Sequence, residues 1–258
     1  MKRYFHTKIR PRLKHWQSSL GIARSRDKIG EIPPDFDELT RNVYKAVVPF
    51  TMTSAERIAA LVEAVRYVVD NGIEGDFVEC GVWRGGSSMA VALVLKELGD
   101  TSRELYLYDT YEGMSAPSDE DVDHRGRSAR SKFEDRQLGE DSSEWCRSPI
   151  EEVTNNILST GYPEDRIHLI KGKVEDTIPE HMPAGDLAIL RLDTDWYEST
   201  RHEMKHLYPR LVSRGVLILD DYGHWEGVRR AVDEYFAAEK LRPLMNRVDY
   251  SCRLVIAD

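Results

Sequence analysis

Several absences narrow the possibilities for this 258-residue chain before any motif is weighed. Cysteine is scarce: Cys80, Cys146 and Cys252 are odd in number, scattered and without CxxC spacing. That excludes a disulfide frame, argues against a zinc site and points to a reducing compartment. Long apolar runs are missing as well. No stretch approaches the ~20 residues needed to cross a bilayer, so an integral membrane protein is excluded. The N-terminus lacks the apolar segment of a secretory signal, and Pro11 interrupts the amphipathic helix that an Arg-rich transit peptide would need. The expectation is a cytoplasmic protein. No internal repeat is present, and no Gly-x-Gly-x-x-Gly, which sets aside solenoids and ordinary dinucleotide binders.

Positive charge is also short overall, with 36 Lys and Arg against 45 Asp and Glu and a net charge of −9. Its distribution is uneven. Residues 1–28 hold nine basic residues (Lys2, Arg3, Lys8, Arg10, Arg12, Lys14, Arg24, Arg26 and Lys28) and one acid, Asp27, for a charge of +8. The remainder carries −17. A body of that sign repels nucleic-acid phosphates, so a surface-wide DNA or RNA binder is excluded. The arm reads as an accessory that docks on an acidic face of a neighbouring subunit, or rests weakly against an anionic membrane surface, where each Lys or Arg is worth ~1 kcal/mol.

What remains is a strand–helix alternation. Residues 1–50 read as the basic arm and a connector, and residues 51–258 as one domain. A helix starts at Thr53, whose spacing to Glu56 is that of a capping box. Ile58, Leu61, Val62, Val65, Val68 and Val69 then recur at helical spacing up to the Asn71-Gly72 stop. Strands are predicted at 77–80, 105–108, 167–170, 187–192 and 216–219, and helices at 88–98, 150–158, 199–211 and 228–241. Runs at 244–248 and 253–257, joined by Asp249-Tyr250-Ser251, predict an antiparallel hairpin. The pattern is that of an α/β fold with a doubly wound, mostly parallel sheet. Residues 112–149 break it: ten acids and six Lys or Arg among 38 residues, with few apolar anchors. A loop of that length inside a domain is a functional lid or disordered, and its exit from the sheet favours the lid.

The chemistry collects at strand ends, where parallel sheets bind ligands. The strand Phe77-Val78-Glu79-Cys80 runs into Gly81-Val82-Trp83-Arg84-Gly85-Gly86-Ser87. Glycines there admit close backbone approach, and the following helix start favours an anionic group. The Gly-x-x-x-Gly spacing suits a ligand with a single carboxylate better than a pyrophosphate. Asp109 ends the next strand, where nucleotide-binding α/β units present an acid to ribose. After the third strand, Lys171-Gly172-Lys173-Val174-Glu175-Asp176-Thr177 offers further polar groups at the same edge. Asp193, Asp220 and Asp221 end two more strands. Three carboxylates gathered together repel unless a cation or shared protons offset them, and an oxygen-only set suits Mg²⁺ or Ca²⁺. Such a cation lowers the pKa of a substrate hydroxyl. Asp193 is then one candidate base and His224 the other, the latter because an imidazole titrates near neutrality.

Taken in order, these motifs resemble the macrocin O-methyltransferase (TylF/MycF-like) family of S-adenosylmethionine-dependent sugar O-methyltransferases. The likeness rests on Thr51-Met52-Thr53-Ser54, the Val78–Ser87 turn, Tyr108-Asp109-Thr110-Tyr111-Glu112-Gly113-Met114 and Gly172-Lys173-Val174-Glu175-Asp176-Thr177. It continues through Leu190-Arg191-Leu192-Asp193, Tyr197-Glu198-Ser199-Thr200 and Asp220-Asp221-Tyr222-Gly223. It runs from Thr51 to the C-terminus. The resemblance implies a class I methyltransferase (Rossmann-like) sheet of seven strands, the last antiparallel. It implies S-adenosylmethionine contacts from Thr51, Met52 and Thr53, from Glu79, Gly81, Val82, Trp83, Gly85 and Ser87, from Asp109, Thr110 and Gly113, and from Glu175 and Asp176. It further implies Mg²⁺ at Asp193, Asp220 and Asp221, with Asp193 also the base, a lid at 112–149 and a homo-oligomer. Thr194 and Trp196 stand where Gly and Leu are expected, and the basic arm has no counterpart.

The function expected is Mg²⁺-dependent methylation of a hydroxyl on a glycosylated small molecule or a surface glycan. A catechol-type small-molecule O-methyltransferase using the same metal site is the alternative. An RNA-modifying protein working through the arm is disfavoured by the −17 body, and a non-catalytic scaffold by the intact acid triad.

Overall fold

The computed structural model describes residues 32–258; the basic arm and the readings attached to it lie outside the described residues. In chain order the elements are α1 (Glu38–Val47), α2 (Ala55–Asp70), β1 (Asp76–Cys80), α3 (Gly86–Leu98) and β2 (Leu105–Asp109). The insertion follows with α4 (Arg130–Glu134), β3 (Gln137–Gly139) and β4 (Ser142–Ser143). Then come α5 (Ile150–Leu158), β5 (Ile167–Lys171), α6 (Val174–Thr177), β6 (Leu187–Leu192), α7 (Tyr197–His206) and β7 (Leu211–Leu219). The chain closes with α8 (Glu226–Ala238), β8 (Met245–Arg247) and β9 (Arg253–Ile256). None of the described helices is long and apolar enough to cross a membrane.

Seven strands form one sheet in the order β5-β2-β1-β6-β7-β9-β8. Strands β5 through β7 are mutually parallel, and β9, the last in sequence, lies antiparallel between β7 and β8. This is the predicted seven-stranded sheet with its final strand reversed. The central strands read as unbroken apolar runs because both their faces are covered. Phe77 and Leu105 pack under α1, α2 and α3, while Val78, Cys80 and Leu190 pack under α7 and α8 with Met204 and Phe236. Helix α3 is buried continuously from Gly86 to Leu95, as expected of a central helix laid against the sheet. The chain leaves β1 for β2 on one side and meets β6 on the other. The carboxyl end of β1 is therefore the switch point where a ligand crevice opens.

Several boundaries differ from the sequence expectation, each for a local reason. Ser54, not Thr53, caps α2, accepting the Arg57 N–H at 3.3 Å; the box spacing fell one residue early. Residues 38–47 are not a connector but α1, which buries Val43, Tyr44 and Val47 and is capped by Asp37. Helix α7 stops at His206 rather than Leu211, because Pro209 sits in the short 3-10 turn that follows. Strand β7 accordingly starts five residues before the predicted 216.

The insertion is ordered. Ala129, Phe133 and Trp145 supply the apolar anchors that composition had understated, packing against Trp196, Trp225 and Val228 at the starts of α7 and α8. An isolated antiparallel bridge joins Asp123 to Trp225. Buried Asp121 accepts the Tyr197 N–H at 2.8 Å and so fastens the insertion to the first turn of α7.

Candidate active site

Two hollows meet at the carboxyl ends of β1, β2, β6 and β7. The larger is a cleft of about 540 Å³ under the insertion. Beside it, over β2 and α6, lies a hollow of about 120 Å³. Met52, Trp83, Cys146, Asp193 and Asp195 line both and mark their junction.

The smaller hollow is shaped by backbone. Gly81, at φ +83°, lets the turn after β1 press on β6, where a Cβ would strike the carbonyl oxygen of Asp193. Asp109 then holds the turn. One carboxylate oxygen accepts the N–H groups of Val82 at 2.7 Å and Trp83 at 3.0 Å, and the other accepts that of Tyr111 at 2.7 Å. Burial raises the Asp109 carboxyl, opposed by those three donors. Thr110 bonds the Gly113 carbonyl at 2.7 Å, closing the rim. Gly81, Asp109, Thr110, Gly113 and Glu175 all face this hollow.

The cleft is shaped by charge. Thr51, Met52, Thr53, Glu79, Val82, Trp83, Ser87, Asp193, Asp220, Asp221 and His224 line it, so most of the sequence-predicted residues converge on one of the two hollows. Two do not. Gly85 caps α3 with φ +87° and packs against Ile157, and Asp176 is exposed on α6; neither lines a hollow.

One carboxylate oxygen each from Asp193, Asp220 and Asp221 gathers within 4.8 Å. Two guanidinium groups answer them. Fully buried Arg191 bonds Glu79 at 2.6 Å and Asp193 at 2.7 Å through one nitrogen, and Asp220 at 2.6 Å through the other. Arg57 from α2 bonds Asp220 at 2.5 Å and Asp249 at 2.7 Å. These cations leave the cluster short of positive charge, since Glu79, Asp193, Asp195, Asp220, Asp221 and Asp249 all line the cleft. Burial, with neighbouring acids adding to it, raises Asp193 and Asp221 well above the ordinary carboxylate range. Asp195, pushed up to about 7 by burial and by Asp193, sits within hydrogen-bonding reach of Asp221 and accepts the Trp225 indole N–H at 2.7 Å. His224 bonds the Tyr250 hydroxyl at 3.1 Å, and burial, with His124 next to it, lowers its pKa.

Three residues went unseen in the sequence reading. Arg191 interrupts the otherwise apolar β6, and a charge inside a buried strand signals an ion-paired network. Asp195 follows Asp193 by two positions in Asp-Thr-Asp, a repeat that was available as a signal. Arg57, in the exposed-looking stretch of α2, carried none.

Comparison with known proteins adds a further line of observation. The family model described as macrocin-O-methyltransferase (TylF) matches residues 5–255. The match takes in most of the basic arm and so corrects the placement of that arm outside the likeness. The 8-demethyl-8-(2,3-dimethoxy-alpha-L-rhamnosyl)-tetracenomycin-C 4'-O-methyltransferase of Streptomyces olivaceus is 36% identical over 189 residues, 73% of this chain and 68% of that protein. The mycinamicin III 3''-O-methyltransferase of Micromonospora griseorubida is 30% identical over 188 residues, 73% and 70% of the two chains. Among solved structures, the O-methyltransferase NovP superposes with a TM-score of 0.70 at 28% identity, covering 81% of this chain and 82% of the other.

Proposed function

The chain belongs to the macrocin O-methyltransferase (TylF) family, and we propose that it transfers the methyl group of S-adenosylmethionine to a sugar hydroxyl of a glycosylated natural product with the help of Mg²⁺. The acceptor class follows from the relatives, which are named for methylation on a rhamnosyl tetracenomycin and on mycinamicin III. The observation that carries the reading is the position of Asp193 and Asp195 at the junction of two hollows, one framed by backbone and one by acids.

The smaller hollow would take one end of the donor, with Gly81, Asp109, Thr110, Gly113 and Glu175 around it, and the donor would extend past Met52 and Trp83 to Thr51, Thr53, Glu79, Val82 and Ser87 on the adjoining wall of the cleft. The larger cleft would take the sugar. When bound there, S-adenosylmethionine would supply an electrophilic methyl group and leave as S-adenosylhomocysteine, and the proton of the acceptor hydroxyl would pass to a base of this chain.

Mg²⁺ fits the residues present. The donor set of Asp193, Asp220 and Asp221 is all oxygen, which hard cations select, and its carboxylates outnumber the guanidinium groups that reach them. A divalent cation relieves the same excess of negative charge that otherwise raises Asp193 and Asp221. When bound, it supplies Lewis acidity that lowers the pKa of a nearby hydroxyl.

Asp195 is favoured over Asp193 and His224 as the base. Asp193 is already committed to Arg191, and His224 to Tyr250. Asp195 faces the cleft at its junction with the smaller hollow and carries no ion pair among the described residues, so its carboxylate is the one open to an acceptor hydroxyl. The insertion places Trp145 and Lys132 on the wall of the same cleft, the ammonium 3.7 Å from the ring centre of Trp145.

Asp193→Asn is expected to reduce turnover by at least about a hundredfold, because the interaction it removes is worth several kcal/mol, while calorimetry shows S-adenosylmethionine still bound. A chelator lowers the rate of the unchanged protein in parallel, and added Mg²⁺ restores it. Full turnover in excess chelator overturns the metal reading; methylation of a catechol but of no glycoside redirects the acceptor.

A further inference from the structure

Asp195 accepts the indole N–H of Trp225 at 2.7 Å, and its carboxyl group also lies within hydrogen-bonding reach of Asp221. A fixed donor on one carboxylate oxygen sets the orientation of the whole group, and so the direction in which its second oxygen points. Trp225 is itself closely held. Its ring packs edge-on to Trp196 with centroids 5.3 Å apart, and 6.3 Å from Trp145 of the insertion. The chain on either side of it is strapped to the insertion as well. The Glu226 N–H donates to the Val122 carbonyl at 2.9 Å, and the His124 N–H donates to the His224 carbonyl at 2.8 Å. These are the bonds that frame the Asp123–Trp225 bridge. The insertion thus forms one wall of the packing that holds the indole where it meets Asp195.

We propose that Trp225 is a positioning residue, through which the seated insertion aims the Asp195 carboxylate at the acceptor hydroxyl. The inference rests on the reading of Asp195 as base and adds the means by which that base is oriented. Proton acceptance is thereby tied to the insertion: seated over the cleft, it helps to hold the indole that aligns Asp195. Geometry of this kind matters because a misplacement of about 1 Å can cost on the order of a hundredfold in rate.

The neighbouring Trp196 provides the control. It is buried in the same cluster and its indole N–H also makes a bond, to the Ser115 carbonyl of the insertion at 3.2 Å, without touching an acid. Replacing either indole by its benzothiophene isostere exchanges the N–H for sulfur and preserves the ring. At Trp225 this change is expected to lower kcat by about 10- to 100-fold, with KM for both substrates and the melting temperature within error of the unchanged protein. At Trp196 kcat stays within about twofold. Trp225→Phe, which opens space in the cluster, lowers kcat at least as far. In an Asp195→Asn background, assayed at high enzyme concentration for its residual rate, the Trp225 exchange has no further effect, since residues acting as a unit are not additive. Unchanged kcat at Trp225, an equal loss at Trp196, or a full additional loss in the Asp195→Asn background each overturns the proposal. Wild-type turnover in Asp195→Asn alone is a separate result: it removes the base reading, and the positioning inference falls with it. An inactive Asp195→Asn beside a fully active Trp225 isostere refutes the positioning inference alone.

Discussion

Two acidic sites lie side by side at the end of this sheet, and they are balanced in opposite ways. Asp109 is surrounded by backbone: three N–H groups of fixed position satisfy its two oxygens. Asp193, Asp195, Asp220 and Asp221 are surrounded by one another, and among the described residues only Arg57 and Arg191 form ion pairs with the group. The first arrangement is complete without a ligand and serves to hold a turn in shape. The second is complete only when something positive is added, a proton or a cation. A site that has to change its charge during a reaction is better built the second way, because a fully satisfied carboxylate has no reason to release or accept anything.

The largest test of this contrast removes the fixed cation. Arg191→Met leaves Glu79, Asp193 and Asp220 buried without their shared partner. Breaking a buried pair in this way costs about 3–5 kcal/mol, so a drop of that size is expected in urea unfolding of the chelated protein. Magnesium should recover part of it, since the acids deprived of Arg191 then have another source of positive charge. A loss below about 1 kcal/mol, in the range of exposed pairs, would mean that Arg191 is not what holds the acids together.

Next in size is a dependence on pH. Asp195 titrates at about 7 in the folded chain and near 3.9 when unfolded. A raised folded pKa contributes stability that is fully present below the unfolded value and is lost as pH rises through the folded one. The melting temperature of the chelated protein should therefore fall between about pH 4 and pH 7. In Asp195→Asn that fall should be shallower, and magnesium should flatten it in the unchanged protein. A melting temperature that stays level across this window would place the acids in their ordinary range.

Much of the fold was legible because parallel strands covered on both faces leave unbroken apolar runs, and β1, β2, β6 and the core of β7 follow them almost to the residue. The acids of the site were legible too, since each ends such a run. What compensates those acids was less so. Arg191 lies inside a strand, and Arg57 lies on a helix 163 positions from the Asp220 it reaches; no local pattern joins them. The helix α1 was passed over because its apolar face is only four residues wide and its charged face dominates the stretch. The insertion misled by composition, because its anchoring depends on the depth at which Phe133 and Trp145 are buried rather than on their number.

The smallest expected effect concerns the other half of the contrast. Asp109→Asn keeps the shape of the side chain but replaces one accepting oxygen by an amide nitrogen. The chain then loses either the Val82 and Trp83 pair of bonds or the Tyr111 bond, and a buried backbone donor is left facing another donor. Hydrogen bonds to a charged group are worth about 1.5–3 kcal/mol each, and relaxation of the turn reduces the net loss to the lower part of that range. Unfolding and S-adenosylmethionine affinity, measured together, separate two roles. If stability falls and the remaining folded protein binds the donor normally, Asp109 acts by holding the turn. If affinity falls more than tenfold while stability is kept, the carboxylate itself meets the ribose, and the completeness assigned to this acid is wrong. A protein unchanged in both would show that the three N–H groups find other acceptors, and that the backbone-built site is not the rigid half of the pair.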